Sequence, residues 1–435
     1  MTIVNPSILS GFMELLPEDQ ILFNGMKKNI EECFKKYSYL PIDTPIIEKT
    51  EVLLAKGGGE TSKQVFHIES SSRDMALRFD LTVPLARYVA EHYHELEFPF
   101  RRYHIGKVYR GERSQRGRFK EFYQCDIDII GDETLDIRND AEIPVVIYDI
   151  FKSLQFTDLR FHINNRKVLN GFLNHHGIMD FTAVLRAIDK IAKVTEEDMR
   201  EMLFEILNSK EKVEVVLDFI TFKGSNTETI EHLKGLNIDN PLFMEGVEEL
   251  RDVYKYMRLY NLPDENIKLD MSITRGLDYY TGTVYETFLN NYESIGSVCS
   301  GGRYEDLASN YTKKSLPGVG ISIGLTRLFY QLKDADLINL PVKPVSDVIV
   351  FPMENCYERG IEVLNELRNN DIIGQVYFEE GKFRKKLSYA NKLNIPYIII
   401  IGENELNDNT VSLKNMTTGE QNTVSLEEAI KVLKS

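Results

Sequence analysis

Two segments, Arg102-Tyr-His-Ile-Gly-Lys-Val-Tyr109 and Phe122-Tyr-Gln-Cys-Asp-Ile-Asp-Ile-Ile130, decide the fold of this chain. In both, apolar residues alternate with other residues in short runs, as they do in β-strands that have one buried face. A charged stretch from Arg113 to Lys120 separates the two runs. The pattern therefore predicts an antiparallel hairpin with a long basic loop.

The rest of the first domain surrounds this hairpin. Helical spacing appears from Gln20 to Tyr37 and from Thr82 to His94, and the segment from Leu40 to Ile47 is strand-like. Strand patterns return after position 268 and lead into a strand–helix junction near Gly324. Strands and helices in an order interrupted by hairpins favour an α+β fold, with a largely antiparallel sheet flanked by helices, over a doubly wound sheet. We expect this domain to span residues 1–335.

Two further parts of the chain have their own patterns. Apolar stripes at helical spacing, such as Val184 with Ile188 and Met199 with Leu203, indicate a helical insertion at about 165–235 whose stripes pack in its core. Prolines mark a linker at 336–346. Beyond it, strands and helices alternate over 347–435, which predicts a separate α/β domain of about ninety residues.

Charge limits the class of partner. The chain has 52 basic and 67 acidic residues, a net charge of -15, which argues against nonspecific coating of nucleic acid. Between Arg101 and Lys120, however, eight residues are basic and only Glu112 is acidic. Such a local patch suits a polyanion or a triphosphate that docks at one place.

The sequence lacks the patterns of membrane proteins, secreted proteins and metal-binding proteins. No apolar run approaches the roughly 18 residues of a membrane span, and the N-terminus has no leader pattern, so we expect a cytoplasmic protein without a membrane segment. The four cysteines are scattered, and no two of the eight histidines share a helix face at a ligand spacing. We therefore predict no metal site and no prosthetic group.

The richest motif is Arg275-Gly-Leu-Asp-Tyr279-Tyr280-Thr-Gly-Thr-Val-Tyr-Glu286, which combines a fixed cation, carboxylates and phenols in a strand-like run. A second motif is Gly318-x-Gly-x-x-x-Gly324-Leu-Thr-Arg327. It is not the dinucleotide fingerprint, and the chain has no phosphate loop of the Gly-Lys-Ser/Thr type. Glycines of this kind permit close backbone approach to a ligand, and an arginine fork can hold phosphate.

With Leu77-Arg-Phe-Asp80-Leu81-Thr82 and Arg110-Gly-Glu112, these motifs resemble histidyl-tRNA synthetases, a family of class II aminoacyl-tRNA synthetases, over nearly the whole chain. The resemblance implies that residues 1–335 are the catalytic domain and that 347–435 bind the anticodon. It implies the reaction of histidine with ATP to histidyl-adenylate and pyrophosphate, followed by transfer of histidine to the 3′ end of tRNA(His). ATP would act with Mg²⁺, and two copies would form a homodimer through the segment 41–48.

The resemblance also implies roles for individual residues. Arg275 and Arg110 would be catalytic, by stabilising charge at the α-phosphate. The residues implied in histidine binding are Asp80, Leu81, Thr82, Arg110, Gln124, Asp128, Arg275, Tyr279 and Tyr280. Those implied in ATP binding are Arg110, Glu112, Phe122 and Arg327. The chain departs from the family at Thr326, where Glu is frequent, and Gly57-Gly58-Gly59 resembles a loop that closes over histidine.

Simpler interpretations of single motifs remain open. Asp80-x-Thr82 is also a helix-cap pattern, and Arg110 with Glu112 also fits a hairpin with cross-strand ion pairs. For the whole chain, the main alternative is a noncatalytic, histidine-sensing regulatory subunit of ATP phosphoribosyltransferase, which resembles these enzymes in fold. A second alternative is a pseudo-synthetase domain that only binds uncharged tRNA. The presence of Arg275 and of a full C-terminal domain argues against the main alternative.

Overall fold

The structure is a computed structural model that describes residues 3–55, 61–69, 74–112, 117–191, 194–274, 280–292, 295–305, 307–338 and 344–434. The chain divides into two compact units, Met1–Leu340 and Pro341–Ser435.

The first unit is built on an eight-stranded sheet and a small three-stranded sheet. In chain order its strands are Leu40–Pro41 (β1), Ile47–Lys49 (β2), His67–Ile68 (β3), Met75–Leu77 (β4), Phe100–Tyr109 (β5), Glu121–Ile130 (β6), Leu159–Asn165 (β7), Ile267–Leu269 (β8), Tyr280–Leu289 (β9), Cys299–Tyr304 (β10) and Gly318–Gly324 (β11). The large sheet has the order β1-β5-β6-β11-β10-β9-β7-β8, and β2-β4-β3 form the small one. In the eight-stranded sheet, all neighbouring strands are antiparallel except β1 with β5 and β7 with β8.

The helices of the first unit, in chain order, are Pro17–Lys36 (α1), Thr50–Leu54 (α2), Thr61–Gln64 (α3), Thr82–Glu91 (α4), Arg138–Ser153 (α5), Arg166–His175 (α6), Phe181–Ile188 (α7), Glu196–Leu207 (α8), Lys210–Ile220 (α9), Asn226–Gly235 (α10), Pro241–Leu259 (α11) and Leu325–Asp334 (α12). Short 3₁₀ turns lie at Tyr93–Glu95 and Asp264–Asn266.

The predicted hairpin is confirmed. β5 and β6 are ten-residue antiparallel strands whose register runs from Phe100 opposite Ile130 to Tyr109 opposite Glu121. Alternation places Cys125, Ile127 and Ile129 of β6 in the main core, which includes residues of α1 and α5. The intervening polar residues therefore lie on the opposite face of the sheet.

Two strand predictions need correction. The segment from Leu40 to Ile47 is not one strand, because β1 pairs with β5 whereas β2 pairs with β4 in the other sheet. Proline lacks the N–H that a continuous ladder requires, and this segment has prolines at positions 41 and 45. The strand predicted from Lys268 ends at Leu269, because the Asp270 carboxylate accepts the N–H of Ser272 and turns the chain away from the sheet.

Helices α6 to α11 fill the sequence between β7 and β8. α6 and α11 approach closely, because a Cβ on Gly171 would meet the backbone of Phe243, and one on Gly246 would meet the backbone of Val168. The predicted apolar stripes are core, as expected: Val184, Ile188, Met199 and Leu203 are all buried.

The second unit is an α/β domain with its own core. Its strands are Val348–Pro352 (β12), Gly374–Val376 (β13), Tyr397–Ile401 (β14), Val411–Asn415 (β15) and Gln421–Val424 (β16), and its helices are Tyr357–Asn369 (α13), Phe383–Lys392 (α14), Glu403–Asn407 (α15) and Leu426–Lys434 (α16). The sheet order is β13-β12-β14-β15-β16. The first three strands are parallel neighbours, and the antiparallel strands β15 and β16 are additions that the sequence did not predict.

Candidate active site

The polar face of the eight-stranded sheet carries the predicted site residues of the hairpin. Arg102 lies opposite Asp128, and His104 lies opposite Asp126, in the register of β5 with β6. On the other side of β6, Asp128 faces Gly320 of β11. All four charged or ionisable side chains are buried. Further along the same sheet Ser300, the second residue of β10, is exposed, so the face is open to solvent there.

Asp128 is a buried carboxylate on this face with two partners. Its Oδ1 accepts a hydrogen bond of 2.8 Å from the Tyr304 hydroxyl, and its carboxylate forms an ion pair with Arg102. Gly320 makes room for it, because a Cβ at that position would collide with the Asp128 carboxylate. Tyr304 was not among the predicted site residues. In the sequence, the only indication of a role for Tyr304 was its position shortly after the glycines 301 and 302.

Gln124 and Asp126 precede Asp128 on the same face. The Gln124 amide donates to the Ser322 hydroxyl at 2.6 Å. Gln124 Oε1 and Asp126 Oδ1 are buried and have no hydrogen-bond partner among the residues that the structure describes. Buried polar atoms are normally hydrogen-bonded, so these two oxygens are suited to a donor on a bound ligand.

Asp80 combines a cap with an available oxygen. Its Oδ1 accepts the N–H of Val83 at 3.1 Å at the start of α4, so the helix-cap interpretation of Asp80 is correct. Its Oδ2 is also buried, and within the described ranges no hydrogen-bond donor contacts it. Leu81 is fully buried and Thr82 is the first residue of the helix. The hydrogen bond to Val83 therefore leaves the second carboxylate oxygen of Asp80 available to a ligand.

Arg110 and Phe122 lie together, and the Arg110 charge acts on Asp80. Arg110 Nε donates to the Phe79 carbonyl at 2.9 Å, and its guanidinium lies 5.2 Å from the centre of the Phe122 ring. Glu112 lies 3.8 Å from the Arg118 guanidinium. An ion pair within the hairpin, as in the simpler interpretation, therefore exists, and the partner of Glu112 in it is Arg118. Arg110 is thus held by its backbone acceptor and by an aromatic face.

Burial changes the acidity of the site carboxylates. Desolvation raises the pKa of Asp80 to about 6, that of Asp126 to about 7 and that of Asp128 to about 6. The positive charge of Arg102 opposes this rise at all three residues. A cationic ligand would favour the ionised forms, because an opposite charge nearby lowers the pKa of a carboxyl group.

Arg327 lies in the first turn of α12, directly after β11, as the sequence predicted. Its guanidinium donates to the Ile295 carbonyl at 2.9 Å. The preceding Thr326 is buried and accepts the N–H of Tyr123, next to Phe122, at 2.8 Å.

Five positions of the predicted motifs, Arg275, Tyr279 and the glycines at 57–59, lie outside the described residues. Tyr280 is the first residue of β9, where its ring occupies the space that a side chain at Gly302 would need.

Across the described ranges, no three His, Cys, Asp or Glu side chains come together in a way that could hold a metal ion. Over the same ranges, no helix is both long and apolar enough to cross a membrane.

An antiparallel sheet with this polar face and these motifs is the catalytic fold of a class II aminoacyl-tRNA synthetase. The sequence model of the histidyl-tRNA synthetase family matches residues 11–328, and that of the anticodon binding domain matches residues 347–435. The chain belongs to the histidyl-tRNA synthetase family.

Known histidine–tRNA ligases are similar in sequence to this chain over nearly its full length. The histidine–tRNA ligase of Clostridium tetani is 57% identical over 434 residues, with 100% of this chain and 99% of that protein covered. The histidine–tRNA ligase of Finegoldia magna is 51% identical over 431 residues, with 99% and 100% covered. The histidyl-tRNA synthetase structure from Nostoc has a TM-score of 0.90 at 36% identity, with 99% of each chain covered.

A structure named as an ATP phosphoribosyltransferase regulatory subunit/histidyl-tRNA synthetase from Bacillus halodurans has a TM-score of 0.75 at 21% identity, and covers 89% of this chain and 97% of that one. At that identity it shares the fold alone. The full-length similarity to ligases does not favour the regulatory alternative for this chain.

Proposed function

We propose that this chain is a histidine–tRNA ligase that binds histidine and ATP on the polar face of its eight-stranded sheet. In the first step a carboxylate oxygen of histidine attacks the α-phosphorus of ATP, the bond to the β-phosphate oxygen breaks, and histidyl-adenylate and pyrophosphate form. In the second step the 3′-terminal hydroxyl of tRNA(His) attacks the histidyl carbonyl and AMP leaves. The observation that carries the proposal is a set of three buried oxygens, Asp80 Oδ2, Gln124 Oε1 and Asp126 Oδ1, that have no hydrogen-bond partner among the described residues.

The histidine end of the site uses the carboxylates. Asp80 Oδ2, buried and without a donor among the described residues, suits the α-ammonium group, with Leu81 and Thr82 beside it. Asp128, oriented by Tyr304, suits an imidazole N–H, and Gln124 Oε1 suits a second donor. Tyr279 and Tyr280 complete the proposed pocket. Because polar groups buried without partners reject a ligand that cannot pair with them, such a site would be selective for histidine.

The ATP end uses the aromatic ring and the arginines. We assign Phe122 to stacking on adenine, Glu112 to the adenine amine and Arg327 to the γ-phosphate. Arg110 would hold the histidine carboxylate against the α-phosphate, because its fork can donate to both groups. Arg275 would stabilise the charge that grows on the phosphate oxygens in the transition state.

Several partners belong to the same proposal. ATP would act as its Mg²⁺ complex, since triphosphates ordinarily carry that ion. The C-terminal unit would contact the anticodon. The basic side chains exposed at the start of α14 are Lys382, Arg384 and Lys385, and they suit the phosphates of the tRNA, whereas Lys386 is buried. We also propose the cytoplasm as the compartment, because the tRNA product is consumed in translation.

A homodimer is proposed through the segment 41–48. Its support is an exposed apolar surface at and beside this segment: Leu40 is 58% exposed, Ile46 41% and Ile47 49%. Grouped apolar side chains of this kind are typical of surfaces that another chain covers. Sedimentation of the full chain tests this proposal, and a monomer at micromolar concentration would contradict it.

The test of the activity is amino-acid-dependent exchange of pyrophosphate into ATP, measured with each of the twenty amino acids and no tRNA. We expect exchange with histidine alone. Arg275→Ala should abolish exchange and weaken histidine binding, measured by calorimetry, to a lesser degree; an equal loss of both would contradict the role of Arg275. No exchange in the parent protein, together with thermal stabilisation by histidine, would favour the regulatory alternative.

A further inference from the structure

We propose that Thr326 is a positioning residue for ATP, which fixes the strand that carries Phe122 relative to the helix that carries Arg327. The inference rests on the proposed function, because it takes Phe122 and Arg327 as the two ends of the ATP site. It adds a residue that contacts neither end of the nucleotide but sets the distance between the groups that do.

The first part of the argument is the contact between strand and helix. The Tyr123 N–H donates to Thr326 Oγ1 at 2.8 Å, although the two residues are 203 positions apart. The pairing of β11 with β6 ends where Gly324 faces Gln124, so the next position of β6 has no strand residue of β11 opposite it. The Thr326 hydroxyl supplies the acceptor there. Thr326 is 3% exposed, so water does not replace this bond readily.

The second part is the anchoring of Arg327 itself. The Ile295 carbonyl accepts a hydrogen bond of 2.9 Å from Arg327 Nη2 and one of 2.8 Å from Gln331 Nε2. Gly296 has a φ of 71°, and a Cβ on it would lie 3.1 Å from Arg327 Nη2. The Arg327 guanidinium is therefore fixed to the carbonyl of Ile295. The backbone before Arg327 is fixed to β6 through Thr326.

The third part is that the Phe122 end is fixed as well. Phe122 is adjacent to Tyr123, whose N–H makes the bond to Thr326, and its ring faces the Arg110 guanidinium, which is held by the Phe79 carbonyl. A shift of β6 relative to α12 would change the Phe122 to Arg327 distance directly. A ligand that must reach both residues gains affinity when that distance is preset, because the protein then pays no ordering cost on binding.

The experiment measures pyrophosphate exchange by the full chain with Thr326→Val, Thr326→Ser and the control Thr229→Val. Thr229, in α10, is also a 3% exposed threonine, and its hydroxyl donates to the carbonyl of Ser225, the residue before that helix. For Thr326→Val we expect the KM for ATP to rise roughly five- to tenfold, the scale of one buried hydrogen bond, with the KM for histidine nearly unchanged. Thr326→Ser, which keeps the acceptor, should restore the KM for ATP, and Thr229→Val should change neither KM.

A purely structural role predicts a different pattern. It would lower the thermal midpoint of Thr326→Val and of Thr229→Val alike and leave the ratio of the two KM values at its parent level. That pattern, or failure of Thr326→Ser to restore the KM for ATP, would overturn the inference.

Arg327→Ala separates the inference from the proposed function. If Arg327→Ala raises the KM for ATP but Thr326→Val does not, the ATP site stands and the positioning role of Thr326 is wrong. If Arg327→Ala leaves the KM for ATP unchanged, the proposed site and the inference both fail.

Discussion

The Tyr304 hydroxyl donates a 2.8 Å hydrogen bond to Asp128 Oδ1 across 176 positions of sequence. It fixes one carboxylate oxygen of Asp128, while Arg102 pairs with the carboxylate as well. A hydrogen bond to a charged group is worth about 1.5–3 kcal/mol. We therefore expect Tyr304→Phe to raise the KM for histidine in pyrophosphate exchange by roughly tenfold or more, with a smaller effect on the KM for ATP.

Tyr285→Phe is the matched control for this substitution. Tyr285 is also buried, but its hydroxyl donates to the Asp140 carbonyl on the other face of the sheet. It should lower stability without a selective change in the KM for histidine. A parent-like KM for histidine in Tyr304→Phe would show that the orientation of Asp128 does not matter for binding.

Gly320→Ala should damage both the fold and the histidine pocket. The added Cβ would collide with the Asp128 carboxylate and approach the Ile127 carbonyl oxygen to 2.5 Å. Overpacking of this kind costs about 1–3 kcal/mol. Chemical denaturation should report the loss, and the KM for histidine should rise. Gly25→Ala in α1, where a Cβ meets nothing within 4 Å, should instead be neutral or stabilising by up to about 1 kcal/mol; equal effects of the two changes would contradict the steric argument.

Asp126→Asn should change how stability depends on pH. Burial raises the pKa of Asp126 to about 7, above the ordinary value near 3.8, so the folded protein binds this proton more tightly than the unfolded chain does. Ionised Asp126 therefore costs stability, and the cost grows as the pH rises from about 4 to about 7. Asp126→Asn should raise the thermal midpoint relative to the parent at pH 8 and have little effect at pH 4. A constant difference between the two proteins across this range would contradict the assignment.

Asp140→Ala should be strongly destabilising. Asp140 is fully buried and accepts hydrogen bonds from Arg303 at 2.7 Å and from Thr283 at 2.6 Å. Its removal leaves a buried, unpaired guanidinium, which costs about 3–5 kcal/mol. Urea denaturation measures this loss. Arg138→Ala breaks the pair with Asp136 on the surface, where the Arg138 side chain is 61% exposed, and should change the denaturation midpoint little. A similar small change for Asp140→Ala would contradict the importance of the buried pair.

Local pattern was enough to predict the strands and the helix start that carry the candidate site. The alternation in β5 and β6 is a property of neighbouring residues, so it indicated both the strands and the polar face before any contact was known. The junction at Gly324, where β11 ends and α12 begins with Arg327 in its first turn, was equally local. The β15–β16 hairpin was missed, because β16 is largely exposed and has no apolar alternation to reveal it.

By itself, the sequence determined the class of fold, because strand and helix patterns depend on residue type and short-range spacing. Its motifs determined the family by their resemblance to known members, and the same resemblance predicted the polar side chains of the candidate site. Only the tertiary structure decided which groups meet: Tyr304 with Asp128, Thr326 with Tyr123, and Arg303 with Asp140. These pairs are 163 to 203 positions apart. Their contact depends on the order and register of the strands in the sheet, which long-range packing fixes and no local pattern encodes.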